Sequence, residues 1–322
     1  LRNNRAVIKF ILKRLLFGVF TLFVVSIVVF AMTQALPSDP AQAILGRNAT
    51  PESVAHLREE LGLNRPVLTQ YFDWLGGMLR GDPGESFSAH QPIVDYIGSR
   101  VVNSLFLLVC ASVVSIPIAL FLGASQAAKR DGYWDQTTSF GGLALASTPE
   151  YVIGIALVIQ FATIWLHWLP AVTAFGTDRP WQHLDQIILP VATLAIGAIP
   201  YMSQVTRASL IEVLESDYIE MARLKGAPER TVMWRHAMPN ALGPVFQVIA
   251  ISVAYFAAGV IIVEFIFNYP GIGGALANAV KVRDIPVIQF LVMVIAAVYV
   301  LTNLLADIGT ILVTPRLRTR LS

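Results

Sequence analysis

Apolar and charged residues are separated along this chain on the scale of whole segments. Residues 15–38, 101–128, 186–206, 236–263 and 285–306 contain no Asp, Glu, Lys or Arg. About 20 apolar residues cross a bilayer, so each window predicts a membrane-spanning helix. A further stretch, 136–169, is long enough for a sixth span, but Pro149 and Glu150 interrupt it. Proline lacks a backbone donor. The pattern therefore predicts either a kinked span or one starting near Glu150, with 137–148 nearer the cytoplasmic surface. The fold expected is an all-α integral membrane protein with six transmembrane helices.

Composition agrees. Of 322 residues, 55% are hydrophobic and 14% charged, and the mean hydropathy is +0.63, whereas soluble domains carry about a quarter charged residues. A net charge of +2 and a pI near 8.7 are too mild to point to nucleic acid. The single cysteine, Cys110, excludes an internal disulfide and leaves no Cys/His set for a metal. With the amino terminus inside, one face collects Arg2, Arg5, Lys9, Lys13, Arg14, Lys129, Arg130, the basic residues of 207–235, and Arg316, Arg318 and Arg320. The opposing Lys and Arg fall mostly in one long loop, where the positive-inside bias is weak. Both termini are expected in the cytoplasm. The first apolar segment lacks a small-residue cleavage site followed by a soluble domain, and reads as a retained helix.

The expected organisation is a cytoplasmic amino terminus with the first helix over 1–36, an extracytoplasmic lid segment over 37–100, a transmembrane core over 101–309, and a cytoplasmic tail over 310–322. Within the lid, Thr50 suits an N-cap, Pro51 the first helical position, and Ser53 the place of the usual capping-box Glu, predicting a short helix closed at Gly62. Tyr71, Trp74, Leu75, Met78 and Leu79 then fall at helical spacing, before Gly81, Pro83 and Gly84 end the element. Such an aromatic stripe reads as packing or interfacial anchoring.

Residues 217–239, DYIEMARLKGAPERTVMWRHAMP, set a charged hairpin, spanning 207–239 with its flanks, between two apolar spans. Leu214, Tyr218, Met221 and Leu224 recur every three to four residues, giving a helix with one apolar edge. Gly226 sits where that helix stops, and Pro228 where a second short helix would start toward Pro239. Acidic Glu212, Glu215, Asp217 and Glu220 precede basic Arg223, Lys225, Arg230 and Arg235. The residues alone suit a site gripped by a partner or a solvated loop with i, i+4 ion pairs worth about a few tenths of a kcal/mol.

Glu220-Met221-Ala222, then Gly226, then Pro239 has the spacing of a loop in ABC-importer permeases. That loop reads E-A-A, three residues, G, nine residues, I, one residue, L-P. Met221, His236 and Met238 replace its first Ala, Ile and Leu, as in the version found in the dipeptide, oligopeptide and nickel subfamily. The chain also resembles that subfamily at 61–66 (LGLNRP), 81–87 (GDPGESF), 235–241 (RHAMPNA) and 263–273 (VEFIFNYPGIG). Its long segment between helices 1 and 2 looks like that of the first of the two permeases.

The resemblance implies a type I importer permease, working with a second homologous permease, one or two ATP-binding subunits and an extracytoplasmic solute-binding protein. No cofactor is expected in this chain; ATP and Mg would be held by the partner ATPases, because there is no Gly-x-x-x-x-Gly-Lys-Ser/Thr loop here. Asp217, Tyr218, Glu220, Met221, Ala222, Arg223, Leu224, Lys225 and Gly226 would form the coupling helix. In it the apolar edge would enter an ATPase groove and Glu220 and Arg223 would fix its register. Glu150, Glu264 and Asn268 are the candidate pathway or gate residues, since acidic groups beside apolar spans are functional suspects. Asp307 reads as structural, and His167 and His183 lack companions for a metal. An ion-coupled secondary transporter would show paired broken helices or mid-membrane charges. An intramembrane enzyme would need a base near Ser112, Ser115 or Cys110.

Overall fold

A computed structural model of the chain describes residues 2–35, 40–45, 49–164, 166–175 and 179–313. The basic residues expected in the carboxy-terminal tail, Arg316, Arg318 and Arg320, lie outside that set. Among the described residues the chain is built from α1 (Arg2–Gln34), α2 (Pro40–Leu45), α3 (Pro51–Glu60), α4 (Val67–Arg80), α5 (Ile93–Ala128), α6 (Tyr133–Ala146), α7 (Glu150–Val158), α8 (Leu184–Leu214), α9 (Asp217–Leu224), α10 (Glu229–Thr231), α11 (Met238–Ile266), α12 (Ile272–Val282) and α13 (Ile285–Val313). Among the described residues five helices are long and apolar enough to cross a membrane, and a sixth crossing is made if α6 and α7 count as one bent span.

The interruption expected in that span lies between Ala146 and Glu150, and the two halves meet at 101°. Pro149 has an extended backbone (φ −59°, ψ 142°) and cannot continue α6. A break exposes carbonyls that lipid cannot satisfy. The hydroxyl of Thr148 donates to Ala144 O at 2.8 Å and that of Ser147 to Leu143 O at 2.9 Å. On the far side, Pro149 O accepts from Val152 N–H at 2.9 Å, which starts α7. The distal end of α7 widens into a π turn over Ile159–Thr163.

The chain divides into two compact units. The first comprises Leu1–Gly18, Leu105–Tyr269 and Tyr299–Ser322. Its main core gathers Leu107, Leu194, Met202, Phe256, Val263 and Phe267, with α8 and α11 as central partners. Asp307 pairs with Arg14 at 3.1 Å, the structural use expected of it.

The second unit comprises Val19–Ser104 and Pro270–Val298, with a core of Ile93, Ile97, Ile272, Val287 and Leu291. Thr50 caps α3 through reciprocal bonds with Ser53, whose hydroxyl does the work of the usual Glu. Gly81 closes α4 in the left-handed conformation (φ +82°). Of the aromatic stripe, Tyr71 is buried, bonds Ser26 at 2.8 Å and meets Phe30 edge to face. Helix α5 begins at Ile93, earlier than the uncharged window from residue 101, because Asp95 and Arg100 hide its first turns while Ile93 and Ile97 are fully buried. Helix α12 was not anticipated from sequence.

Asp284, buried at the α12–α13 corner, holds the turn after α4. Its carboxylate accepts from Ser86 Oγ (2.5 Å), Ser88 Oγ (2.7 Å), Phe87 N–H (3.1 Å) and Ser88 N–H (3.1 Å). Truncation strands the buried Ser86 hydroxyl and the half-buried Phe87 N–H, while the exposed Ser88 can turn to water; a buried unsatisfied donor costs about 1–3 kcal/mol. Asp284→Ala should therefore open the turn over residues 84–90 to limited proteolysis in intact membranes, with Asp284→Asn intermediate.

Candidate functional site

Helix α8 ends at Leu214, and only Glu215 and Ser216 separate it from α9. Ser216 has an extended backbone (φ −79°, ψ 147°), turning the chain before α9 begins. Asp217 and Glu220 lie in the first turn of α9 and Arg223 in its last, the order its dipole favours. Gly226 ends the element at φ +80°, a left-handed position that glycine takes without strain, and its N–H bonds Arg223 O at 2.9 Å. Pro228 O then accepts from Thr231 and Val232 N–H at 2.8 and 3.0 Å. The second short helix expected after Pro228 proves to be the single turn α10. It continues through a π turn, Val232–Ala237, into α11.

What holds the hairpin in place was missed by the sequence reading. Ile219, set between the apolar-edge residues, is fully buried among Ala124, Ala127, Leu210, Val232 and Ala237. It lies off the Tyr218–Met221–Leu224 edge, on the opposite face of the helix. Tyr218, Met221 and Leu224 point away and are 42, 53 and 76% exposed. The hairpin thus has an inward anchor and an outward apolar edge.

Within the hairpin Arg223 forks across the bend onto Glu229, with Nε–Oε1 at 2.8 Å and Nη2–Oε2 at 3.3 Å. Glu220, Lys225 and Asp217 are exposed, Ala222 is half-buried, and Met238, the departure from Leu in the motif, is buried in the hairpin's foot. Arg130 bonds Glu215, and that bond with Asp131 nearby pushes the guanidinium further above its ordinary range. A cavity of about 520 Å³ opens beside the bend, lined by Phe121, Arg130, Glu215, Arg223, Arg230 and Trp234.

A second pair was not foreseen at all. Asp135 in the first turn of α6, 2% exposed, takes both Nε and Nη2 of Arg207 at 2.6 Å. The signal was present, as an acid in the apolar start of α6 and a lone Arg closing the 186–206 window, but nothing in sequence pairs them.

The pathway candidates separate. Glu150, 8% exposed, lies in the first turn of α7 against α11. A Cβ on Gly259 would stand 2.7 Å from both of its carboxylate oxygens. Tyr255 lies beside this carboxylate, and Oε1 has no hydrogen-bond partner among the described residues. Glu264 is 1% exposed near the end of α11. Burial first, then the nearby Glu264 carboxylate, hold the Tyr269 phenol above its usual range. Asn268 is exposed and takes a left-handed turn (φ +49°), a conformation Asn favours. Its observed work is in the backbone. Among the described residues no three His, Cys, Asp or Glu side chains are placed to hold a metal.

Five to six apolar spans among the described residues define a polytopic all-helical membrane protein. The chain belongs to the binding-protein-dependent transport system inner membrane component family, whose model matches residues 115–319. The N-terminal membrane-component domain of the same systems matches residues 7–108. Its relatives include the "Probable peptide ABC transporter permease protein y4tP" of Sinorhizobium fredii, 36% identical over 312 residues, 96% of this chain and 99% of that one. The glutathione transport system permease protein GsiC of Escherichia coli K12 is 34% identical over 311 residues, 97% and 99%. The chain is accordingly a noncatalytic permease subunit of an ABC importer in the inner membrane, whose ATPase is a separate subunit.

Two substitutions probe this geometry. Ile219→Ala removes a buried anchor worth about 2–4 kcal/mol and should raise hydrogen exchange over residues 217–226 while the rest of the chain stays protected. Gly259→Ala inserts a methyl group into the Glu150 carboxylate and should cost about 1–3 kcal/mol of thermal stability in detergent; adding Glu150→Ser should restore most of it.

Proposed function

We propose that this chain is the first of two homologous permeases in a peptide importer. Solute arrives from an extracytoplasmic binding protein, crosses between the two permeases, and is released inside when one or two partner ATPases bind ATP and Mg and close. The hairpin 207–239 is the docking element for those ATPases, and both termini are cytoplasmic. The segment 37–100 is an extracytoplasmic lid.

The observation that carries the reading is the two-sided hairpin. Ile219 fixes α9 to the ends of the neighbouring spans, while Tyr218, Met221 and Leu224 remain exposed and unpartnered on its other side. Apolar residues held outward on a rigid element suit a groove on a partner, and an anchored element transmits force that a floppy loop would absorb. Glu220 supplies register to that contact, with Arg223 acting indirectly by locking the bend to Glu229. Glu150 and Glu264, both buried in the spans, are the residues proposed to face or gate the pathway, and Asn268 shapes its mouth. A peptide-like cargo is favoured by the peptide and glutathione permeases among the relatives.

Gly226→Val strains a left-handed residue by about 1–2 kcal/mol, and Glu220→Lys reverses the charge at the docking edge. Each should lower uptake by roughly tenfold, the kinetic equivalent of about 1.4 kcal/mol, with expression and solute capture by the binding protein unchanged. Normal uptake in both would remove the coupling assignment. Mild-detergent purification of the tagged chain should recover a second permease and ATP-binding subunits by mass spectrometry. A lone chain that transports without ATP after reconstitution would make it a secondary carrier instead.

A further inference from the structure

The α6–α8 ion pair is more elaborate than packing requires. Both oxygens of Asp135 are engaged by the Arg207 fork at 2.6 Å, and they also take Asp131 N–H at 2.9 Å and the Ser139 hydroxyl at 3.4 Å. One turn earlier on α8, Gln204 Nε2 reaches the same Ser139 hydroxyl at 3.0 Å. At the end of α8, Glu215 takes Arg130 from the short α5–α6 connection. A fork of this kind admits one orientation of the two planes, so it fixes α6 to α8 in both position and rotation. Buried ion pairs add little net stability compared with apolar residues of the same size, and their best-attested use is to specify an arrangement.

The location gives the arrangement a purpose. Arg207 stands two turns before the end of α8, and α9 follows after only two residues. Ile219 of α9, Leu210 of α8 and Ala124 and Ala127 of α5 share one buried cluster, which packs α9 onto the ends of α8 and α5. Helix α6 leads from the clamp straight to the 101° break at Pro149, where Glu150 lies buried. We propose that Asp135 and Arg207 are positioning residues for transport: they make α6 follow α8, so that displacement of the hairpin reaches the break at Pro149–Glu150.

This rests on the reading of the hairpin as the ATPase dock, and the two are separable in the assembled importer, reconstituted in proteoliposomes with its binding protein. A Met221→Cys variant cross-linked to the ATPase subunit tests the dock alone; absence of the cross-link removes that reading whatever the pair does. The pair is tested by the ratio of solute delivered to ATP hydrolysed. In Asp135→Leu with Arg207→Met, no charge is left buried alone, so the fold is retained while the fork is lost. The expected result is normal subunit assembly and binding-protein-stimulated ATP hydrolysis, with solute delivered per ATP falling by about tenfold, within the range commanded by residues that couple distant sites. The reversed pair, Asp135→Arg with Arg207→Asp, should recover a substantial part of that ratio. An unchanged ratio in the apolar double variant would overturn the proposal. So would a proportional loss of hydrolysis and transport, or failure of both double variants to assemble, since either places the pair in folding alone.

Discussion

Lipid offers no hydrogen bonds, so every amide and carbonyl inside the bilayer must be satisfied by the protein, and the rest of this structure is an accommodation to that rule. Long uninterrupted helices meet it without further help. Among the described residues, the bent pair α6 and α7 breaks between Ala146 and Glu150, and there the hydroxyls of Ser147 and Thr148 turn back onto the carbonyls of α6. A break so provided for is a stable joint. It is also the place where an abrupt change of direction, 101°, puts a carboxylate at the start of a helix inside the apolar core.

Buried carboxylates then reveal how the protein distributes its remaining polarity. Asp284 is surrounded by neutral donors from one turn, a solution that fastens a segment. Asp135 faces a full countercharge in Arg207, a solution that fixes two helices against each other. Among the described residues Glu150 has neither a cation nor a full set of donors, and it rests against Gly259 with little room to spare. An ionised group in that setting is costly. Of these it is the one whose burial serves no evident structural end, which is why it stays, with the likewise buried Glu264, on the pathway in the proposed mechanism.

The spans, the broken third crossing, the Thr50 cap and the left-handed stop at Gly226 were legible because each rests on a local rule: uncharged length, a missing donor, a reciprocal hydroxyl, a residue without Cβ. What was not legible depends on neighbours distant in sequence. Asp135 and Arg207 are 72 positions apart, and neither looks remarkable alone. Ile219 was hidden for a different reason. A short amphipathic helix has two apolar faces when it is held on one side and exposed on the other, and periodicity reports the sum of both. The charges in the first turns of α5 likewise masked a helix start that the buried Ile93 and Ile97 make unambiguous. Arg223 was legible as a charge but not as half of a latch, because its partner Glu229 lies across a glycine bend.

That latch bears on how the hairpin can act. A docking helix that ordered only on contact would surrender the entropy of ordering from its binding free energy. Here α9 is fixed at one end by its short connection to α8, underneath by Ile219, and at the other end by the Arg223–Glu229 fork across Gly226. Exposing Tyr218, Met221 and Leu224 without a partner carries a cost in water, yet the element keeps its shape because the restraints lie on the opposite side. In the proposed docking role, a pre-formed hairpin would present its edge at once and, once gripped, would transfer displacement to the spans with little slack. The same rigidity that would spare ordering entropy on docking is what the proposed conversion of ATPase closure into helix movement requires.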